Sequence, residues 1–440
     1  MVGITKMKAE KQKAEKEAFF CTTKELSRLG LEQIPTQFQS HKHLIYSSPA
    51  TLAFNSPGAE GFGVKRAGLA VPDSIMLIVA PGCCGRNTSL ISSMKEYNDR
   101  FYYLMMDETD IVTGRHLKKI PKAVEEICSV CPKKPSVVMI CITCVDALLG
   151  TDMERVCKKA EERVEIPVRP CYMYALTREG RKPPMVHVRQ SLYSLLEPGK
   201  KKGNVVNLLG FFSPLVDDCE IYDLLHSAGV KTIHEISRCK DYMEYQTMSE
   251  ANFNLVLHHE ARFAAEDFHN RLQIPFIELR RLYQIDKIEN QYHALGNALG
   301  VAFYDEKYKK QAEDALEKFR QKCPDASFAI GECLNADPFE LSLALIRYGF
   351  SVPEIYGTIT VENFTYIRSL AKISPETNVF SNMEPTMIYY DPAKSDVNLA
   401  IGKDACYYHP DCPYVMWNGE EQPYGYAGVR RLFEQLLEVV

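Results

Sequence analysis

The sequence predicts an α/β protein in which the strands of parallel sheets alternate with helices. Several segments repeat one pattern: an apolar run typical of a strand, a turn containing Gly, Cys, His or a polar residue, and then apolar residues at helical spacing. These segments are DSIMLIVAPGCC, PSVVMICITCVDALLG, GNVVNLLGFFSP, NFNLVLHHEARF, ASFAIGECLNADPFELSLALIRYG and SDVNLAIGKDACYY. Because parallel sheets bind ligands at the carboxyl ends of their strands, the residues directly after these runs are candidate functional residues.

Length and composition restrict the class of protein. A chain of 440 residues is too long for one hydrophobic core and indicates two or three domains. A formal net charge of −5 provides no basic field for nucleic acid or an anionic membrane, so neither is an expected partner. No apolar run is long enough to cross a bilayer, and MVGITKMKAEKQKAEKEAFF lacks the apolar core of a secretory signal. With 15 scattered cysteines, this indicates a cytoplasmic protein whose cysteines are thiols or metal ligands.

Changes in composition divide the chain into four parts. Residues 1–40 are expected to form an N-terminal helical extension, whose run of Lys and Glu is typical of a solvated helix face. The basic segment EPGKKKGN marks a boundary near residue 200, and the charged stretch after QYHALGNALG marks another near residue 300. We therefore expect similar strand–turn–helix domains at 41–199, 200–300 and 301–440, the last ending in a C-terminal helix.

Two Cys-x-x-Cys pairs, CSVC and CITC, together match the spacing of a zinc or iron–sulfur site. CSVC lies at the end of a predicted helix, whereas CITC ends the predicted strand SVVMICITC. That strand, rising roughly 3.3 Å per residue, separates Cys131 from Cys144 by about 20–30 Å. One ion cannot bind both pairs, so we interpret Cys128 and Cys131 as buried structural thiols.

Cys83, Cys84 and Cys144 stand where predicted strands end. Cys83 and Cys84 come after SIMLIVAPG, and Cys144 precedes the amphipathic segment VDALLGTDMERVCKKAEE. Such positions converge at one sheet edge, and thiolates near helix N-termini are favoured as anions. Three interpretations remain open: metal ligands, a redox dithiol or inert packing. A catalytic thiol would need a neighbouring base, which no local motif supplies.

Four segments resemble the component 1 subunits of nitrogenase and their relatives, which include dark-operative protochlorophyllide reductase subunits, cofactor-assembly scaffolds and the reductase of coenzyme F430 synthesis. They are APGCCGRN, MMDETDIVTGRHLKKI, VVMICITCVDALLGTDMERV and VMWNGEEQPYGYAGVRRLFEQLL. The resemblance implies three Rossmann-like domains with parallel sheets, a paired subunit, and an iron–sulfur cluster across the subunit interface. By position, the cluster ligands are Cys83 and Cys144 of the first domain.

The sequence also departs from the nitrogenase pattern. Nitrogenase subunits carry a further cluster cysteine before the position of Cys83, but AFNSPGAEGF contains none. An eight-iron cluster with six thiolates is therefore not expected unless Cys84 replaces the missing ligand. Two thiolates from each of two chains suit a [4Fe-4S] cluster instead.

The ligands of the iron–molybdenum cofactor are not retained either. His258 stands at the position of the cofactor cysteine, and Trp417 at or near that of the cofactor histidine. His259 follows the same predicted strand as His258, and Lys403 lies in a region similar to the cofactor-anion contact of the family. We expect these four residues to line an interdomain cavity that accepts a substrate or a further metal centre.

The resemblance implies a nitrogenase-like reductase, the catalytic component that reduces an unidentified substrate in the cavity with electrons received through the [4Fe-4S] cluster. Its catalytic residues are unknown. The chain contains no G-x-x-x-x-G-K-[ST] loop, so ATP would bind only to a partner iron protein that donates the electrons. The paired chain would make a homodimer or a heterodimer with a paralogue. The alternative is a non-catalytic scaffold or carrier for the assembly of a metal cluster or cofactor.

Overall fold

The computed structural model of this chain describes residues 17–39, 49–50, 63–82, 92, 94–173 and 182–440, without the side chains of Cys144, Ala147 and Leu148. Within these residues the strands form three sheets, of four, four and six strands. Their pairs are parallel except for one antiparallel pair at the edge of the largest sheet. The predicted α/β fold with parallel sheets is confirmed. No helix in these ranges is long and apolar enough to span a membrane.

The N-terminal segment contains a strand as well as the predicted helix. Its elements are β1 (Phe20–Thr22) and α1 (Thr23–Leu29). Thr22 caps the helix: its hydroxyl oxygen accepts from the Glu25 N–H at 3.2 Å, and the Glu25 carboxylate accepts from the Thr22 N–H at 2.8 Å. Although it lies near the N-terminus, β1 belongs to the largest sheet, described below.

The first sheet has four parallel strands, and the two in the middle are buried along their whole length. Its elements are β2 (Ile75–Ala80), β3 (Phe101–Met105), β4 (Val138–Ile142) and β5 (Val168–Tyr172), in the order β3-β2-β4-β5. Because β2 and β4 are covered on both faces, their sequences, IMLIVA and VMICI, are continuously apolar. The helices of this region are α2 (Val64–Gly68), α3 (Glu108–Thr113), α4 (His116–Val130), α5 (Cys144–Leu149), α6 (Met153–Val164) and α7 (Pro184–Tyr193).

The second sheet is also parallel, with the order β7-β6-β8-β9. Its strands are β6 (Val205–Leu209), β7 (Thr232–His234), β8 (Phe253–Val256) and β9 (Phe276–Glu278). Asn207 and Asn254 lie opposite each other on β6 and β8, and Nδ2 of Asn207 donates to Oδ1 of Asn254 at 2.7 Å, which joins the two buried strands through their side chains. The helices are α8 (Glu220–Ser227), α9 (Tyr242–Gln246), α10 (Arg262–Leu272) and α11 (Ile285–Leu299).

The third sheet has the order β1-β12-β11-β10-β13-β14. Its other strands are β10 (Ser327–Ile330), β11 (Ser351–Tyr356), β12 (Asn378–Phe380), β13 (Leu399–Ile401) and β14 (Tyr414–Val415). β1 pairs antiparallel with β12, with Phe20 opposite Phe380. The helices are α12 (Glu306–Lys322), α13 (Pro338–Arg347), α14 (Phe364–Ile373), α15 (Lys403–Tyr408) and α16 (Gly425–Val439).

The second and third sheets pack as one body. Leu208 and Leu255 of the second sheet belong to the same hydrophobic core as Phe328 of the third. The buried Glu220 of α8 also holds α16, because its carboxylate accepts from the Tyr426 N–H at 2.7 Å and from two further donors, the Ala427 N–H at 3.0 Å and the Tyr292 hydroxyl at 2.6 Å. This shared core fixes the two sheets around the space between them.

Candidate functional site

A cavity of about 480 Å³ lies between the second and third sheets. One wall consists of residues that follow β6, β8 and β9, and the other of residues that follow β10 and β11. Side chains of α7 and Gln422, which precedes α16, complete the lining. Because the carboxyl ends of strands from two parallel sheets meet here, the cavity is in the position where α/β proteins bind ligands.

His258 and His259 line this cavity directly after β8. Their rings stack with centroids 4.5 Å apart, and Nδ1 of His258 accepts from the Glu260 N–H at 3.4 Å. Burial lowers the pKa of His258 well below its usual value, and the nearby Arg189, His259 and Arg281 lower it further. His258 is therefore neutral at physiological pH, and the proton of the neutral ring is on Nε2.

Gly210 lets the end of β6 lie against His258. Its φ of 142° belongs to the region that favours glycine, and a Cβ there would lie 2.7 Å from the His258 backbone nitrogen. Nε of the buried Arg189 donates to the Gly210 carbonyl oxygen at 3.0 Å, and its Nη1 pairs with Glu260 at 2.8 Å. The Arg189 guanidinium also lies over the Phe212 ring, 4.6 Å from its centroid. Arg189 therefore builds the wall, and its charge is already paired.

Arg281 presents a charge that no ion pair neutralises in the described part of the chain. Its Nη2 donates to the Gln422 side-chain oxygen at 2.6 Å, and the guanidinium lies 4.4 Å from the Phe211 ring centroid. Its Nε is buried without a hydrogen-bond partner among the described residues, and burial lowers the pKa of the group. By contrast, Arg262 donates two hydrogen bonds to Glu278, at 2.9 and 2.7 Å. Since arginine stays protonated in proteins, Arg281 offers its charge to an anionic ligand.

The opposite wall carries carboxyl groups. Asp337 accepts from the Phe339 and Glu340 N–H groups at the start of α13, both at 3.0 Å, and burial raises its pKa to about 6. Behind it, the buried Glu340 accepts from the N–H groups of Tyr283 at 2.9 Å and Gln284 at 3.3 Å. Burial raises the pKa of Glu340 to about 7. Both carboxyl groups therefore titrate near neutral pH, and of the two only Asp337 lines the cavity.

Lys403 and Trp417, the other two residues expected at the cavity, are not among those that line it. Trp417 is buried behind the wall, where its Nε1 donates to the Tyr283 hydroxyl at 2.6 Å and its carbonyl oxygen accepts from the Asn335 N–H at 2.7 Å. Lys403 begins α15, and its N–H donates to the Cys333 carbonyl oxygen at 3.1 Å. Asn335 lines the cavity, so Trp417 supports the wall from behind.

The predicted cluster ligands fall mostly outside the described residues. Cys83 and Cys84 lie outside them, and Cys144 is described only as the first residue of α5. β2 and β4 are parallel neighbours with Val79 opposite Ile142, so the backbones that lead into Cys83 and Cys144 leave the same edge of the sheet. Within the described ranges, no group of three or more His, Cys, Asp or Glu side chains is arranged to hold a metal ion.

The two cysteines of CSVC are only partly buried, although they were expected to be buried. Cys128 and Cys131 lie against the hydrophobic cluster of the first sheet, and the Cys131 sulfur is 3.0 Å from the Tyr102 hydroxyl. Burial raises the pKa of the Cys128 thiol. Cys141 is fully buried within β4.

Sequence reasoning missed Arg281 and Asp337. Both follow strands: IELRR runs out of β9, and ECLNADP follows β10. The strand-end rule that identified His258 would also have identified Arg281, had PFIE been recognised as a strand. β9 is only three residues long, too short to show a period of its own.

Comparison with known proteins assigns the chain to a family. A family model for nitrogenase component 1 type oxidoreductases matches residues 60–440. The chain belongs to this family. The resemblance inferred from the cysteine and C-terminal motifs is therefore confirmed.

The chain is similar to the nitrogenase iron-molybdenum cofactor biosynthesis protein NifE of Sinorhizobium fredii, with 25% identity over 418 residues, 89% of this chain and 82% of the relative. A protein of the same name from Methanosarcina barkeri is 27% identical over 205 residues, 42% of this chain and 43% of that protein.

Solved structures show the same fold. Nitrogenase Cp1 at pH 6.5 matches with a TM-score of 0.69 and 18% identity over 90% of this chain and 92% of that chain. Nitrogenase Cp1 at pH 5 matches with a TM-score of 0.60 and 16% identity, over 86% and 87%.

Proposed function

We propose that this chain is a scaffold that holds an anionic metal-cluster cofactor in the cavity between its second and third sheets and passes it on. The names of its relatives support a role in cofactor biosynthesis, since one such similarity extends over 89% of the chain. The observation that carries the proposal is Arg281, a cavity residue whose charge has no carboxylate partner in the described part of the chain. An anionic cargo would complete this contact.

His258 suits the same cargo, because a neutral imidazole is a common metal ligand. The low pKa of His258 means that the ring needs to lose no proton before it binds a metal. If Nε2 binds the metal, the ring proton must move to Nδ1. The Glu260 N–H, which donates to Nδ1 at 3.4 Å, would then lose its acceptor, and the Glu260 carboxylate, 3.7 Å from Nδ1, would have to move closer to accept the new hydrogen bond.

Cys83 and Cys144 would hold a resident [4Fe-4S] cluster, with Cys84 as an alternative ligand. β2 and β4 lead into these cysteines side by side, and thiolates are the ligands that such a cluster requires. When bound, the cluster supplies a one-electron relay. Because two thiolates per chain need a second chain to make four, we expect a homodimer or a heterodimer with a paralogue.

A catalytic reductase is the second candidate function. In this alternative an ATP-binding iron protein donates electrons through the cluster, and an unidentified substrate is reduced in the cavity. Asp337 favours this alternative, because a carboxyl group whose pKa is raised to about 6 at the cavity wall can deliver protons near neutral pH.

Turnover distinguishes the two functions. Protein purified anaerobically is mixed with an iron protein, ATP and a reductant, with and without an acceptor protein that lacks its cofactor. A scaffold transfers its metal to the acceptor once, so the metal lost by this chain equals the metal gained and the reaction stops. Product formation over many cycles without an acceptor would refute the scaffold and support the reductase.

Iron content tests the resident cluster. Anaerobically purified protein should be brown and contain about four irons per pair of chains. Cys83→Ala or Cys144→Ala should abolish this iron, whereas Cys128→Ala, which removes a thiol packed in the hydrophobic cluster, should leave it unchanged. Unchanged iron in the first two variants would show that the ligands are assigned wrongly.

A further inference from the structure

The DETDIVTGRH and TCVDALLGT motifs are joined by a buried histidine–aspartate pair. Nε2 of His116, the first residue of α4, lies 2.8 Å from Oδ1 of Asp146 in α5, and both side chains are at most 1% exposed. Nδ1 of His116 lies 3.0 Å from the Asp110 carbonyl oxygen. Both ring nitrogens therefore face oxygen acceptors. The ring therefore links α5 to the corner that precedes α4 through two buried contacts.

Asp146 also closes the turn that begins at Cys144. Its Oδ1 accepts from the Thr151 hydroxyl at 3.0 Å, and its carbonyl oxygen accepts from the Thr151 N–H at 3.1 Å and from the Gly150 N–H. The Asp146 side chain thus links α5 to Thr151 at its C-terminal end and to the His116 ring on the neighbouring helix.

The other end of this anchor is held by Asp110. Its carboxylate accepts from Lys119 at 2.6 Å and from Arg115 at 2.8 Å, both on α4 or directly before it, and it also accepts from the Asp107 N–H. These contacts, with Lys119 first, keep the pKa of Asp110 well below its usual value. These contacts therefore fix the turn between α3 and α4, with the Asp110 carbonyl oxygen within hydrogen-bond distance of His116 Nδ1.

Two buried polar atoms beside Cys144 have no partner among the described residues. They are the Thr143 hydroxyl oxygen and Oδ2 of Asp146. Buried polar atoms without a hydrogen bond are rare in folded proteins. These two belong to residues on either side of Cys144 in the sequence, so contacts among the described residues do not use all of the polar groups nearest to Cys144.

We propose that His116 and Asp146 are positioning residues that fix the backbone of α5, the helix that begins at Cys144, before iron arrives. The proposal rests on the iron–sulfur site proposed above at Cys83 and Cys144. It assigns a role to residues that are not themselves ligands, in the way that hydrogen-bonded groups behind a metal ligand fix its orientation.

The test compares four variants as anaerobically purified holoprotein. His116→Ala and Asp146→Ala remove one partner each. Asp146→Asn keeps an acceptor oxygen for His116 and Thr151, and should rescue the site. Asp152→Ala is the matched control, since this exposed aspartate only caps α6 by accepting from the Arg155 N–H at 3.1 Å.

Three quantities are measured. The first is the loss of iron to a chelator, which should reflect a metal affinity weakened roughly 10- to 100-fold in the two alanine variants and unchanged in the other two. The second is the rate at which iodoacetamide alkylates Cys144 in the iron-free chain, resolved by peptide mass spectrometry, which should rise in the alanine variants alone. The third is the electron paramagnetic resonance spectrum of the reduced cluster, which should change with the turn.

The outcomes separate this inference from the cluster itself. Wild-type iron retention and Cys144 alkylation in both alanine variants would refute the positioning role while the cluster stands. If the Cys144→Ala variant keeps its iron, the proposed cluster ligands are wrong. The alkylation rates of Cys144 in His116→Ala and Asp146→Ala would then still show whether these two residues fix the turn at Cys144. If the single variants do not fold, the double variant His116→Phe/Asp146→Ala can replace them, because it leaves no buried charge without a partner. Iron retention and Cys144 alkylation in the double variant then test the positioning role.

Discussion

Replacing Arg281 with methionine tests whether the interdomain cavity binds an anion. Methionine keeps an unbranched stem to pack on Phe211 and removes the guanidinium. A hydrogen bond to a charged group contributes about 1.5–3 kcal/mol. Because each 1.4 kcal/mol is tenfold, the dissociation constant should rise roughly 10- to 150-fold. The upper part of this range is expected, since Nε of Arg281 is buried without a hydrogen-bond partner and no ion pair neutralises the group among the described residues.

The assay is an anaerobic calorimetric titration with tetrathiomolybdate, a coloured metal-sulfide dianion that serves as a probe for an anionic cluster. Arg368→Met is the matched control, because this arginine also stacks on a phenylalanine, 5.0 Å from the Phe364 ring centroid, but is exposed and outside the cavity. Unchanged binding in Arg281→Met would refute the reasoning. So would an equal loss in both variants, because it would indicate a general effect of net charge.

Three further predictions concern stability. The lowered pKa of His258 keeps its ring neutral in the folded protein, whereas the same ring in the unfolded chain binds a proton below about pH 6.5. The free energy of unfolding should therefore fall as the pH is lowered. In His258→Gln, this fall between about pH 7 and 5 should be smaller. Glu340 has the opposite effect, because its pKa is about 7 in the folded protein and about 4.5 in the unfolded chain. The free energy of unfolding should fall by about 3 kcal/mol as the pH rises from about 4.5 to 7. Urea unfolding of Glu340→Gln should lack this dependence on pH. Parallel profiles of wild type and variant would contradict either assignment. Glu220→Ala leaves three buried donors without an acceptor and should cost about 2–5 kcal/mol in urea unfolding, whereas Glu434→Ala on the exposed face of α16 should change stability by less than about 0.5 kcal/mol.

The buried strands could be predicted from the sequence, and the edge strands could not. β2 and β4 are covered on both faces, so each has a continuous apolar run that can be recognised in the sequence alone. β1 and β14 are only three and two residues long, and β1 pairs with β12, which lies far away in the chain. A strand of that length carries no local period, so the sequence of residues 1–40 predicts only a helical extension.

The sequence predicted a residue of the candidate site correctly where that residue follows a strand whose carboxyl end opens onto the cavity. His258 follows β8 and lines the cavity, because the carboxyl end of a parallel strand opens onto it. Trp417 was placed by resemblance, which fixes a backbone position and not the direction of a side chain. Its φ of 45° and its hydrogen bond to the Tyr283 hydroxyl direct the indole into the protein.

The pairing of β1 with β12 determines the order in which this chain can fold during its synthesis. The Phe19 N–H donates to the hydroxyl of Thr386, which lies 367 residues further along the chain. The strands of the first two sheets lie between these two positions, so each of those sheets can pair within itself while the ribosome is still translating. β1 must remain without its partner through all of that time. A pause late in translation would therefore leave two finished sheets, and an unpaired N-terminal strand open to chaperones or to the wrong partner.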